Sequence, residues 1–243
     1  MIKIYNANNK ELVSSYGTSY KLNNLSSAEI KFITNTNDEY SKLFLSFDEV
    51  ISDSAKGNDT QLMLNVKGAT IQNGFGIFNN SGIDCSATGF DFANSTKFTV
   101  DFYINFSSLP ISDNWSETKT IFVTYDSADS SWQNALRFGN NNINFQYEDN
   151  NWIISTPMTM IVNKWYHFAL VRDDNTYRMF VNGKLVSTAN NDYSLPNYQN
   201  CQLFYEADNS YFTGKMKNFN ISFGIARYLK DFTPPKVDGI TLD

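Results

Sequence analysis

Few side chains in this 243-residue chain are of the kinds that do chemistry, and their spacing favours binding over turnover. His167 is the one histidine, so any Ser-His-Asp arrangement must use it. It alternates with Trp165, Ala169 and Val171 along a run that reads as one strand, which makes it a satisfied, packed sheet histidine rather than a base. Hydrolysis of a glycosidic bond needs two carboxylates flanking it. Glu148 and Asp149 are adjacent, so on a strand they point to opposite faces, and they sit at a turn. Asp173 and Asp174 also lie in a turn, where Asp is favoured locally. Gly74-Phe-Gly76 lacks the Lys-Ser/Thr pair that grips phosphate and magnesium. With a single histidine, Cys85 and Cys201 make a poor zinc set. They permit one disulfide, but two free thiols are expected in a reducing compartment.

Recognition remains. Trp115, Trp132 and Trp152 each lie in or beside a polar turn: Ser112-Asp-Asn-Trp115, Ser130-Ser-Trp132 and Asn150-Asn-Trp152. Tyr193 and Tyr198 belong to a long loop at 190–200. Aromatic faces stack on the C–H faces of sugars while Asn and Asp bond hydroxyls, so these five residues are the candidate glycan contacts. The same tryptophans would serve equally well as lids on the core or as packing against a neighbouring subunit.

The elements that must position them are strands. Aromatics make up 16% of the residues, with 20 Phe and 14 Tyr, types that fit a pleated, half-buried surface. Phe98, Val100, Phe102, Ile104 and Phe106 share one face of an alternating run. Thr99, Asp101, Tyr103 and Asn105 share the other, which predicts a strand with one wet side. Trp165 to Arg172 and Tyr177 to Val181 alternate likewise across the polar turn at 173–175, and Asn182-Gly183 is a two-residue hairpin signal. Further strands are predicted at about 43–48, 61–66, 119–125, 134–138, 143–148, 152–155, 184–188, 201–205 and 213–223. No stretch of a dozen residues has helical period, and no repeat recurs at a fixed spacing. Residues 1–41 are Asn- and Ser-rich, with short strands predicted near 2–5 and 29–33, and read as a strand pair or attachment arm.

A net charge of −6 argues against nucleic acid, which needs a clustered basic face. No apolar stretch approaches a membrane span. Residues 1–9 lack the apolar centre of a secretory signal, so synthesis and folding in a cytoplasm are expected.

Over residues 42–235 the chain resembles laminin-G-like jelly-roll domains of the concanavalin A-like lectin/glucanase superfamily. The resemblance rests on Leu43 to Ser54, on Gly74-Phe-Gly76 to Gly82-Ile-Asp84, and on Phe90-Asp-Phe92 with Phe98-Thr-Val-Asp-Phe102. It rests also on Trp165-Tyr-His167 leading to Asn182-Gly183. The tail, Gly224-Ile-Ala-Arg-Tyr228 then Asp231-Phe-Thr-Pro-Pro235, is similar to versions of this domain in virion proteins of tailed bacteriophages. The resemblance implies an all-β, two-sheet antiparallel jelly roll, with 1–41 as an arm and 236–243 as a C-terminal tail. The carboxylate pattern that β-glucanases of this fold carry on one strand (Glu-x-Asp-x-(x)-Glu) does not occur. Where relatives place acidic residues in the closing strand, this chain has Lys217, Asn218 and Asn220, so a structural calcium is not assumed.

The expected function is therefore a non-enzymatic component of a tailed-phage virion, in tail, fibre or capsid decoration, with a lectin-like module for host-surface glycans. Its expected partners are other virion proteins, copies of itself and bacterial glycans, without nucleic acid or membrane insertion. The rival expectations are a bacterial carbohydrate-binding or adhesion module at the cell surface, and an assembly protein with no glycan ligand.

Overall fold

Strict alternation of large apolar residues forces two layers, because each strand has one face that must leave water. The computed structural model describes residues 2–6, 11–15, 28–32, 37–57, 62–87, 90–111, 117–125, 132–147, 151–205 and 211–242. These contain eighteen strands, numbered in chain order, and no α-helix. None of the described residues forms a helix long and apolar enough to cross a membrane.

Three strands, β1 (Ile2–Asn6), β2 (Glu11–Ser15) and β3 (Ala28–Phe32), pair antiparallel in the order β2-β1-β3. The seven-stranded sheet consists of β5 (Leu64–Lys67), β8 (Gly82–Ser86), β10 (Lys119–Tyr125), β11 (Trp132–Phe138), β12 (Asn142–Tyr147), β13 (Asn151–Pro157) and β17 (Asn200–Leu203). Its order is β13-β12-β11-β10-β17-β8-β5. The facing sheet is built from β6 (Thr70–Gln72), β7 (Phe75–Phe78), β9 (Lys97–Phe106), β14 (Trp165–Asp173), β15 (Thr176–Val181), β16 (Lys184–Asn190) and β18 (Gly214–Phe223). Its order is β16-β15-β14-β9-β18-β7-β6, and β4 (Ser41–Leu45) adds to β18 as the eighth strand. Every strand pair is antiparallel, the two-sheet sandwich expected of a jelly roll.

Phenylalanine fills the gap between the sheets. Phe106 of β9 meets Phe138 of β11 at 5.2 Å, Phe138 meets Phe168 of β14 at 5.5 Å, and Phe98 meets Phe145 of β12 at 6.0 Å. Edge-to-face contacts of this kind add to the area each ring removes from water. At one side the sheet edges touch: Thr156 of β13 donates to the Val186 carbonyl of β16 at 3.4 Å, and Ser187 donates to the Ser155 carbonyl at 3.2 Å.

The turns follow their sequence signals. Asn182 and Gly183 adopt φ of 50° and 77°, the left-handed pair that a two-residue hairpin needs, and join β15 to β16. Asp174, φ 54°, turns β14 into β15.

One expectation fails. The second face of β9 is not wet: Thr99, Asp101, Tyr103 and Asn105 are all buried. The segment after β18 folds back over them. Thr99 donates to the Ile225 carbonyl and accepts from the Arg227 amide, Tyr228 donates to Asp101, and Tyr103 donates to the Pro235 carbonyl. Arg227 makes a two-pronged ion pair with Asp38 at 2.7 and 2.8 Å, tying this cover to the chain just before β4.

Candidate functional site

The outer face of the seven-stranded sheet carries a continuous row of register partners. Trp152 lies opposite Gln146, then Ala135, Val123, Gln202, Asp84 and Asn65, one residue from each strand from β13 to β5. Directly opposite residues of an antiparallel pair point to the same side. The middle of the row is closed, with Val123 and Ala135 buried, whereas both ends are open. Trp152, 44% exposed, stands at one end.

At the other end is a cleft of about 480 Å³, lined in part by Met63, Asn65, Asp84, Ser86, Gln199 and Asn200. Three strands build it. Asn65 of β5 is the partner of Asp84 of β8, and Ser86 of β8 is the partner of Asn200 of β17, so these four side chains face the same way. The size is that of a small-molecule site.

Asp84 is held from behind. Its Oδ1 accepts from the Tyr205 hydroxyl, and its Oδ2 accepts from Lys67 Nζ at 2.6 Å and from Asn65 Nδ2 at 3.4 Å. Lys67 also donates to the Tyr205 hydroxyl at 2.8 Å and lies over its ring at 5.1 Å. Tyr205 in turn stacks on Tyr211, with centroids 5.7 Å apart. The hydrogen bonds it donates to Asp84 and Tyr205 hold the Lys67 ammonium well above its ordinary pKa, and burial, then the bond to Asp84, pushes the Tyr205 phenol up to about 12. Lys67 therefore stays cationic and Tyr205 stays a donor at any physiological pH. Beside Asp84 in the row, Gln202 is 8% exposed and its Oε1 has no hydrogen-bond partner among the described residues. Amides, a hydroxyl, a fixed carboxylate and the exposed thioether of Met63 give the cleft hydrogen-bonding groups beside an apolar surface, the combination that suits a polyol.

None of the three aromatic candidates whose side chains are described, Trp152, Tyr193 and Tyr198, lines this cleft. Trp115 lies outside the described residues, and Trp132 begins β11 with a side chain that is likewise outside them. Tyr193 is exposed and packs against Tyr147, with ring centroids 4.3 Å apart and the planes tilted by 42°. Tyr147 is the partner of Asn151, next to Trp152, so Trp152 and Tyr193 share one end of the β12–β13 hairpin. Tyr198 is half-buried in the loop that leads to Gln199 and Asn200. Glu148 and Asp149 lie outside the described residues, and Asp173 pairs with Lys97. Asn65, Asp84, Ser86 and Asn200 were missed because only strand register joins them. The one local signal was the Gly82-Ile-Asp84 stretch.

His167 is packed as expected but not satisfied. Its ring is 1% exposed, wedged against Tyr103, Phe232 and Tyr228 at 4.7, 5.6 and 6.3 Å, and neither nitrogen has a hydrogen-bond partner among the described residues. Burial lowers its pKa to about 3, so it is neutral and unsuited to act as a base near pH 7. On the closing strand, the Lys217 ammonium pairs with Asp48 and donates to the Gly74 carbonyl at 2.7 Å, and Asn220 donates to Asp101 at 3.2 Å. The described residues contain no cluster of three His, Cys, Asp or Glu arranged to hold a metal. Cys85 and Cys201 are register partners, buried and free, and burial with the bond to Cys85 keeps the Cys201 thiol protonated.

Against known proteins, no curated sequence matches the chain. Solved structures do match, at identities that establish the fold alone. The fourth domain of an extracellular family-43 arabinanase from Geobacillus stearothermophilus, solved with arabinotriose, superposes with a TM-score of 0.60 at 15% identity, over 76% of this chain and 93% of that domain. The receptor-binding domain of botulinum neurotoxin type G gives 0.54 at 18% identity, over 76% of this chain and 48% of that one. Trypanosoma rangeli sialidase with the inhibitor DANA gives 0.55 at 18%, over 74% of this chain and 30% of the sialidase. A family model described as the concanavalin A-like lectin/glucanases superfamily (Laminin_G_3) matches residues 79–224, from the turn before β8 to the end of β18. That match spans more than half of the chain and most of both facing sheets, and with the strand order it places this protein in the concanavalin A-like lectin/glucanases superfamily.

Proposed function

We propose that this chain is a non-enzymatic carbohydrate-binding module whose ligand sits in the cleft at the β5-β8-β17 end of the seven-stranded sheet. The observation that carries the reading is the set of four side chains, Asn65, Asp84, Ser86 and Asn200, aimed the same way around a ligand-sized cleft. Asp84 is fixed there by Tyr205 and Lys67 before any ligand arrives. Carbohydrate ligands of similar structures, arabinotriose above all, support it. A second reading is favoured by the exposure of Trp152 and Tyr193, which would make the β12–β13 end an aromatic platform for sugar.

For the biological setting we propose a tailed-phage virion, on the strength of the tail wording from Ala226-Arg227-Tyr228 to Phe232-Thr-Pro-Pro235. The module then contacts host glycans or decorates the particle as a homo-oligomer among other virion proteins. The rival is a bacterial surface adhesion module. Immunogold labelling of phage particles against bacterial surfaces separates the two.

Binding to an array of bacterial polysaccharides tests the site. Loss of binding in N65A and N200A, with W152A unaffected, supports the cleft, and the reverse pattern moves the site to the platform. Absence of saturable binding refutes both and leaves an assembly role.

A further inference from the structure

The charge balance of the cleft narrows the class of sugar, an inference that rests on the carbohydrate-binding reading. We infer that the cleft takes a neutral, hydroxyl- or N-acetyl-bearing glycan residue and rejects carboxylated sugars such as uronic and sialic acids.

Among the described side chains lining the cleft, Asp84 alone belongs to the ordinarily charged types. Its cation is already committed: Lys67 Nζ lies 2.6 Å from Asp84 Oδ2 and 2.8 Å from the Tyr205 hydroxyl. A sugar carboxylate entering here meets a carboxylate and finds no free guanidinium or ammonium among the described residues of the cleft wall. Recognition of acidic groups relies on such cations, and placing like charges together is strongly unfavourable.

The hydrogen-bonding capacity of Asp84 points the same way. Three bonds occupy Asp84 of the roughly four lone-pair positions a carboxylate offers, so about one acceptor position remains. A hydroxyl or amide N–H of the ligand fills it as a donor, whereas a carboxylate brings only further acceptors and would leave it unsatisfied. Met63, 91% exposed at the rim, offers an apolar surface for the C–H face of a pyranose or for an acetyl methyl.

The test uses the whole chain and matched pairs of oligosaccharides: galacto-oligosaccharides against oligogalacturonides, and asialo- against sialyl-N-acetyllactosamine, with affinity measured by calorimetry. The neutral member of at least one pair binds, and its acidic counterpart binds about tenfold or more weakly, as expected when like charges meet. D84N narrows that ratio by relieving the repulsion. K67M widens it by removing the compensating charge, and thermal melts confirm that both variants are folded. Preference of the wild type for the carboxylated member, or an unchanged ratio in folded D84N, overturns the inference while leaving carbohydrate binding intact. Binding of no member of either pair, nor of any array polysaccharide, removes the carbohydrate reading and this inference together.

Discussion

Asp84 accepts from Tyr205 and Lys67 at once, which fixes its carboxylate without help from a ligand. Preorganisation of this kind limits the ordering penalty on binding. Removing the hydroxyl in Y205F leaves Asp84 less constrained, and the affinity for the cleft ligand falls by about fivefold, equivalent to roughly 1 kcal/mol for one hydrogen bond. Gly82 is the second support: a Cβ there would stand 2.7 Å from Tyr205 Cγ. G82A therefore displaces the ring and destabilises the fold by about 1–3 kcal/mol in urea titrations, as overpacking does. His167 gives a pH signature. Its folded pKa, near 3, lies below the unfolded value of about 6.5, so the unfolded chain takes up the proton first. The stabilisation is full above pH about 6.5 and is lost as pH falls toward 3, by up to about 1.4 kcal/mol per unit. Urea midpoints measured from pH 8 to 4 should fall below 6.5 in the wild type and fall less in H167F. Identical slopes would place the acid sensitivity elsewhere.

At the scale of elements, the hairpin at Asn182-Gly183 and the C-terminal segment support each other. The Phe232 amide donates to the Gly183 carbonyl at 2.8 Å, and a Cβ on Gly183 would come within 2.8 Å of Pro234 Cδ, at a φ of 77° that disfavours any side chain. G183A thus strains the turn and pushes off the cover, with a predicted loss of about 1–3 kcal/mol in thermal or urea unfolding. Much of this level could be read in the chain. The alternation of β9, β14 and β15 is local, as is the Asn-Gly signal, and those strands stand within a residue or so of their predicted bounds. The buried polar face of β9 could not be read, because its cover comes from Ile225 to Pro235, more than 120 positions later, and polarity at Asp101 and Asn105 looks like solvent exposure. The cleft escaped for the same reason. Its residues come from β5, β8 and the end of the 190–200 loop, brought together by pairing across the sheet. Trp152, by contrast, announced itself by type and sits at the exposed edge, away from that cleft.

For the molecule as a whole, the ion pair between Asp38 and Arg227 fastens the returning C-terminal segment to the chain ahead of β4. Arg227 is 9% exposed and also donates to Ser222 at 2.9 Å, so deleting its charge takes the cation from a largely buried Asp38 carboxylate, whose side chain is 11% exposed. R227M is predicted to lose about 3–5 kcal/mol of stability, the usual result of breaking one side of a buried pair. The double variant D38N/R227M should recover part of that loss in urea titrations. Failure to recover any would mean that Arg227 acts through packing rather than charge. The cover lies over β9, β14 and β15 on the outer face of the eight-stranded sheet, while the opposite sheet keeps a cleft at its β5-β8-β17 end. The proposed recognition surface is that β5-β8-β17 end.

The most direct test of that surface is polysaccharide-array binding of the wild type beside N65A, N200A and W152A, each checked for folding by its thermal melt. Saturable binding in the wild type and W152A, with weakening of about fivefold or more in N65A and N200A, is the predicted result. Full binding in folded N65A and N200A, or no glycan bound by the wild type, would contradict the assignment of the cleft as a carbohydrate site.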